Sequence, residues 1–237
     1  MKIIIDLSPN FSKSNRSRNL IKFVIIHYTG MQSEIESKKR LKNLKSKVSC
    51  HYHINKKGLI TQMVKDNKIA WHAGKSKWKN FNNLNNYSIG IELENKGHDL
   101  GYENFANSQI KNLIDLCKKL KKKYNIAPDH FLGHSDIAPL RKSDPGEKFP
   151  WKKLSKYKIG FWYKLISKNF KIDEKIFFKN IYSMGYRYFQ LDKRNKNKDF
   201  KVIRAFQRRY LPQKVTGKID SKTFKISQFL ANKSIKT

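Results

Sequence analysis

The sequence predicts an α/β fold, a mixed central β-sheet flanked by helices, followed by a small C-terminal three-helix module. Three observations predict it. Short β-branched runs such as Phe23-Val24-Ile25-Ile26 alternate with longer segments of helical character as far as Trp151. From Asp173 onward only helical patterning is found, so strands mixed with helices give way to helices alone. The length of 237 residues exceeds the usual single domain, and one medium domain with a small companion is the natural division. The expected boundaries are 1–165 and 173–237.

In order along the chain, Lys22-Phe23-Val24-Ile25-Ile26 is a short apolar run that ends at His27-Tyr28-Thr29-Gly30, the pattern of a buried central strand. His27 therefore stands where the strand leaves the sheet. Ser33 to Lys47 is helical in composition, with Ser33 as cap and Ile35, Leu41 and Leu44 as sparse apolar anchors. Ser49 to Val64 reads as a β-hairpin around the turn Lys56-Lys57-Gly58. In its first strand His51 and His53 share one face, while Tyr52 and Ile54 share the other. Ile69 to Gly74 is a short strand entering a loop rich in Trp, Asn and Lys.

Tyr87 to Asn95 is the next strand, with Ile89, Ile91 and Leu93 on one side and Glu92 and Glu94 on the other. Gly90 lies on the glutamate side, which implies that something approaches the sheet closely there. Ser108 to Tyr124 is an amphipathic helix whose stripe runs Ile110, Leu113, Ile114, Cys117, Leu120 and Tyr124, making Cys117 a core residue. His130 to Gly133 is a last short strand. It feeds the polar, proline-broken stretch Gly133 to Gly146, which must be an ordered but irregular loop. Ser155 to Phe170 reads as a linker with some helix. Helices then follow at Asp173 to Ser183, Asp199 to Tyr210 and Ser221 to Asn232, the last capped by Asp220.

Composition narrows the partners. A formal charge of +34 points to a polyanionic neighbour. The lysines are spread along the chain among many Asn and Ile, a pattern that codon drift also produces. No clustered arm, zinc finger or stacking platform is present, so attraction to a carboxylate-rich substrate outweighs specific nucleic-acid recognition. No apolar run is long enough to span a bilayer, and no signal peptide or lipidation site is visible. With Cys50 and Cys117 as the only cysteines, the chain reads as cytoplasmic; a periplasmic or wall-associated location by another export route stays open.

Chemistry is carried by His27, Glu92, His134 and Asp144, placed at strand ends or in the irregular loop. Their spacing matches no compact zinc signature. A catalytic zinc takes three N/O ligands and leaves one position open, and His27, His134 and Asp144 could fill that role if their strands are neighbours. Glu92 could then act as general base, and Lys142 could stabilise an oxyanion. Glu94 shares the face of Glu92 and has its own claim as base. Asp136 more naturally turns the loop than binds metal.

His27-Tyr28-Thr29, His51-Tyr52, Ala70-Trp71-His72-Ala73-Gly74, Ile89 to Asn95 and the Gly133 to Trp151 loop together resemble the zinc-dependent N-acetylmuramoyl-L-alanine amidases of the type 2 family, kin to peptidoglycan recognition proteins. The resemblance spans Phe23 to Trp151. It implies the type 2 amidase fold, one zinc ion held by His27, His134 and Asp144, and catalysis by Glu92 and Lys142. It further implies cleavage of the amide between N-acetylmuramic acid and L-alanine in peptidoglycan or its fragments. By the same likeness His51 contacts substrate and His53 is structural. Trp71 and His72 could line the sugar-peptide groove, although core packing accounts for Trp71 nearly as well. Arg141 could pair with a stem-peptide carboxylate or simply be solvated. His98 and His130 read as surface and structural residues. Val202 to Tyr210, with Gly217, Asp220 and Thr223, resembles a three-helix peptidoglycan-binding module, the alternative being a helical cap packed on the enzyme domain. A rival to the enzyme is a protein that recognises peptidoglycan without cutting it.

Overall fold

The computed structural model describes residues 2–164 and 171–234. In chain order its elements are β1 (Ile3–Ile5), β2 (Phe11–Ser12), β3 (Phe23–Tyr28), α1 (Glu34–Lys42), β4 (Tyr52–Ile54), β5 (Ile60–Gln62), β6 (Ile69–Ala70), β7 (Lys77–Trp78) and β8 (Phe81–Asn82). There follow β9 (Ser88–Leu93), α2 (Asn107–Tyr124), β10 (Phe131–Gly133), α3 (His134–Ile137), α4 (Trp151–Ser155), α5 (Glu174–Met184), α6 (Lys196–Tyr210) and α7 (Ser221–Ser234). Six strands form one sheet in the order β1-β5-β4-β9-β3-β10. β4 and β5 pair antiparallel as the expected hairpin; the other pairs are parallel. The sheet is therefore mixed, as the sequence predicts.

Alternation along the central strands divides the core in two. Val24, Ile26, Ile89, Ile91 and Leu93 pack against the α2 stripe, where Cys117 is buried as expected. On the opposite face Phe23, Ile25 and Leu132 share one apolar cluster with Phe177, Phe206, Phe224 and Leu230 of α5, α6 and α7. The C-terminal helices thus form the second layer of the sandwich, because a sheet face this apolar must be covered. A buried polar bolt joins the two parts. Asp136 accepts from the Arg209 guanidinium and, at 2.7 Å, from the Tyr186 hydroxyl. Arg209 also lies over Trp151, 4.0 Å from the ring centre.

Several local expectations are met by their caps. The Ser33 side chain accepts from Glu36 N–H to start α1, and Asp220 accepts from Thr223 N–H to start α7. Others are corrected. Helix α1 stops at Lys42, and of its three expected anchors only Leu41 is buried; Ile35 and Leu44 are exposed. Helix α6 begins at Lys196 because Asn195 is its cap, while Asp199 turns back to accept from Asn195 N–H. The expected linker from Ser155 to Phe170 lies partly outside the described residues. Strand β1, an edge strand on β5, has no counterpart in the sequence reading.

Candidate metal centre

Parallel strands deliver side chains to one edge of the sheet, and here the register decides which. His27 pairs with Glu92 across β3 and β9, and Ile26 pairs with Gly133 across β3 and β10. The carboxyl ends of three adjacent strands therefore present Glu92, His27 and His134, the place where open α/β sheets bind ligands. Asp144 comes ten residues after His134 and reaches the same place because the loop folds back. Its carbonyl accepts from Ser135 N–H at 2.8 Å, and Pro145 packs where a Cβ on Gly133 would lie, 2.7 Å away.

The result is a compact triangle of donor atoms. His27 Nδ1 lies 3.0 Å from His134 Nδ1 and 3.0 Å from Asp144 Oδ2, and His134 Nδ1 lies 3.1 Å from Asp144 Oδ2. All three residues are buried. Two imidazoles and a carboxylate are a zinc donor set, and bonds of 2.0–2.1 Å in a tetrahedron would separate the ligand atoms by roughly 3.3 Å. The triangle is close to that size, so the residues fit the ion. Burial depresses the His27 pKa to about 4, with His134 adding and Asp144 opposing, so the imidazole is neutral and able to ligate.

The triangle opens into a cavity of about 480 Å³ that Glu92 and Lys142 also line. Glu92 is half-buried, and its Oε2 is buried without a hydrogen-bond partner. Burial, reinforced by Asp144, pushes its pKa well above the ordinary value, and Lys142 pulls the other way. Glu94, the rival base, instead accepts from Lys56 N–H at 3.0 Å, at the hairpin turn. Asp136 takes no part in the triangle and serves the buried bolt to Arg209.

The expected substrate contacts are placed unequally. Trp71 lines the cavity with its indole N–H donating to Ser12 Oγ at 3.1 Å. Arg141 lines it too, but its guanidinium donates to the carbonyls of Ala73 and Lys75. His72 is buried against His27, and its ring is the close neighbour that Gly90 makes room for. His51 is fully buried and not on the cavity wall; it accepts from Gly90 N–H and touches Arg16. His53 is buried as a structural residue beside Ser37. Tyr28, Arg40 and Asp99 line the cavity without having been singled out. Tyr28 follows His27 at the strand end and was legible there; Arg40 lies in the stretch read only as helical in composition. Tyr28 Oη meets His98 Nδ1 at 2.9 Å, and His98 is exposed, in keeping with its reading as a surface residue.

Comparison with known proteins shows the family and the fold. Residues 16–147 match the family model described as N-acetylmuramoyl-L-alanine amidase. N-acetylmuramoyl-L-alanine amidase AmiD of Escherichia coli strain K12 is 35% identical over 235 residues, covering 90% of this chain and 83% of that protein. The solved complex of E. coli AmiD with the substrate anhydro-N-acetylmuramic acid-L-Ala-D-γ-Glu-L-Lys superposes with a TM-score of 0.81 at 32% identity, covering 94% of this chain and 92% of that one. AmpDh3 from Pseudomonas aeruginosa, solved with an anhydromuramic pentapeptide, gives a TM-score of 0.82 at 29% identity and covers 94% of each chain.

Proposed function

This chain belongs to the N-acetylmuramoyl-L-alanine amidase family, and from that membership we propose that it hydrolyses, with one zinc ion, the amide between N-acetylmuramic acid and L-alanine in peptidoglycan-derived muropeptides. The observation that carries the reading is the meeting of His27, His134 and Asp144 at 3.0–3.1 Å beside the unpartnered Glu92 carboxylate.

His27 and His134, through Nδ1, and Asp144, through a carboxylate oxygen, are the residues that would hold the ion. Zinc in such a site acidifies water toward neutrality and polarises a carbonyl. Glu92, whose raised proton affinity suits a base working near neutral pH, takes the proton of the attacking water. The same carboxyl gives that proton to the departing L-alanine nitrogen as the C–N bond breaks. Lys142 on the cavity wall compensates the negative charge that grows on the carbonyl oxygen. Arg141 acts by holding the Ala73 to Lys75 backbone in place, and Trp71 offers a flat apolar wall to the sugar-peptide substrate.

We propose the division into an amidase unit, 1–165, and a helical peptidoglycan-binding-like unit, 173–237. Support for a substrate role of the second comes from Lys201, Arg204 and Arg208 of α6, which line a groove shared with Arg141 and Lys142. Stem peptides are rich in carboxylates, and a basic groove beside the cleft suits them. Among the described residues no helix is long and apolar enough to cross a membrane. The cytoplasmic reading is supported by Cys50 and Cys117, both buried free thiols.

Mass analysis of products from soluble anhydro-muropeptide and from intact sacculi, with and without a chelator, tests the proposal. Release of peptide beginning with L-alanine, lost on chelation and in His134→Ala, is the expected result. Cleavage that persists in metal-free protein contradicts the zinc mechanism, and binding without cleavage identifies a recognition protein.

A further inference from the structure

We propose that His72 and Ala73, held in place by Asn85, fix both histidine ligands in the tautomer that leaves Nδ1 open to the metal. His72, Ser88 and Asn85 are then positioning residues of the site. The proposal rests on the zinc reading above. Hydrogen-bond directions follow from an end that allows only one choice. Leu84 O can only accept, so the Ser88 hydroxyl gives it its proton at 2.5 Å. With that proton committed, Ser88 Oγ accepts from His72 Nε2–H at 3.2 Å. A neutral imidazole carries a single N–H, so His72 Nδ1 is a lone pair. Its 3.0 Å contact with His27 Nε2 therefore makes His27 the donor. His27 Nδ1 is left as a lone pair facing Asp144.

His134 is fixed by the next residue of the same loop. Its Nε2 lies 3.1 Å from Ala73 O, which can only accept, so Nε2 carries the hydrogen. Arg141 Nη2 lies 3.3 Å from the same nitrogen, but its two hydrogens go to the Ala73 and Lys75 carbonyls, so none is left to call for a lone pair at Nε2. Two imidazole lone pairs and one carboxylate thus converge with no proton among them, a site preorganised for a cation.

One carboxamide holds the dipeptide that does this. Asn85 Oδ1 accepts from His72 N–H at 3.0 Å and from Ala73 N–H at 2.7 Å. Two backbone donors on one atom identify it as the oxygen. Arg16 Nη1 in turn donates to the Asn85 backbone carbonyl at 3.0 Å. Outer partners of this kind set the tautomer and basicity of metal-bound histidines, and their loss typically costs 10- to 100-fold in metal affinity.

The test uses the full chain, prepared metal-free, with two readouts: zinc affinity by chelator competition, and the ¹⁵N tautomer signature of His27. Wild type is expected to show His27 protonated at Nε2 before any zinc is added. His72→Leu, which cannot accept, is expected to lose about 10- to 100-fold in affinity and to show mixed His27 tautomers. His72→Asn places an amide oxygen where Nδ1 was and is expected to recover most of both. Ser88→Ala, a mild change should His72→Leu fail to fold, frees His72 to switch tautomer and is expected to shift the His27 signal the same way. Unchanged affinity and an unchanged His27 tautomer in these variants overturn the proposal. Wild type that binds no zinc would sink the metal reading itself, while the tautomer readout would still decide the relay.

Discussion

Gly90 lies directly beneath the imidazole of His72: a Cβ built on Gly90 would fall 2.3 Å from His72 Cγ. No side chain fits that gap, so the glycine is required by the ring above it. Gly90→Ala should displace His72, destabilise the fold by about 1–3 kcal/mol as overpacked cores do, and weaken zinc binding. Chemical denaturation and chelator competition on the same preparation check both effects.

Glu92 is assigned chemistry and no part in holding the ion. Glu92→Gln keeps the shape and removes the base. It should lower kcat by about 10²- to 10⁴-fold while zinc stoichiometry stays at the wild-type value. Turnover measured beside elemental analysis separates this outcome from a loss of metal.

Burial holds three histidines neutral in the metal-free protein, His27 and His53 at about 4 and His51 at about 3, against 6.5 when exposed. Each has a folded pKa below its unfolded one, so the unfolded chain binds more protons in acid. The stability they contribute is present above pH 6.5 and is lost as pH falls toward the folded values. One unit below the unfolded pKa each costs about 1.4 kcal/mol. Urea titrations of metal-free protein at pH 7.5 and pH 5.5 should therefore differ markedly, with the lower stability at pH 5.5.

Arg209 and Asp136 form a buried ion pair between the C-terminal helices and the loop that carries His134. Arg209→Met strands the carboxylate, and breaking such a pair from one side costs about 3–5 kcal/mol. Because Asp136 also accepts from Gly133 N–H, next to His134, the variant should lose zinc affinity as well as stability. Unfolding curves and metal competition measure the two losses.

The sequence was legible where chemistry and periodicity coincide. Alternation in Ile89 to Leu93 and the α2 stripe placed the core correctly, and Gly90 announced a close neighbour. His27, Glu92 and His134 could be placed at strand ends. Their meeting could not be read from spacing, since it depends on the strand order β9-β3-β10 and on a loop that folds back. Contacts between residues far apart in the chain stayed hidden for the same reason, as with Arg209 and Asp136. His51 was given a substrate contact by the resemblance alone, and no local pattern showed that it would lie fully buried beside Gly90 and Arg16. Ile35 and Leu44 failed as anchors because α1 presents only Leu41 to a small apolar cluster with Cys50 and Met63.

Anomalous diffraction at the zinc edge, from crystals of the zinc-loaded protein, tests the central claim most directly. The account predicts one strong peak within about 2.0–2.2 Å of His27 Nδ1, His134 Nδ1 and an Asp144 carboxylate oxygen. A peak bonded to other residues, or none at full zinc loading, would contradict it.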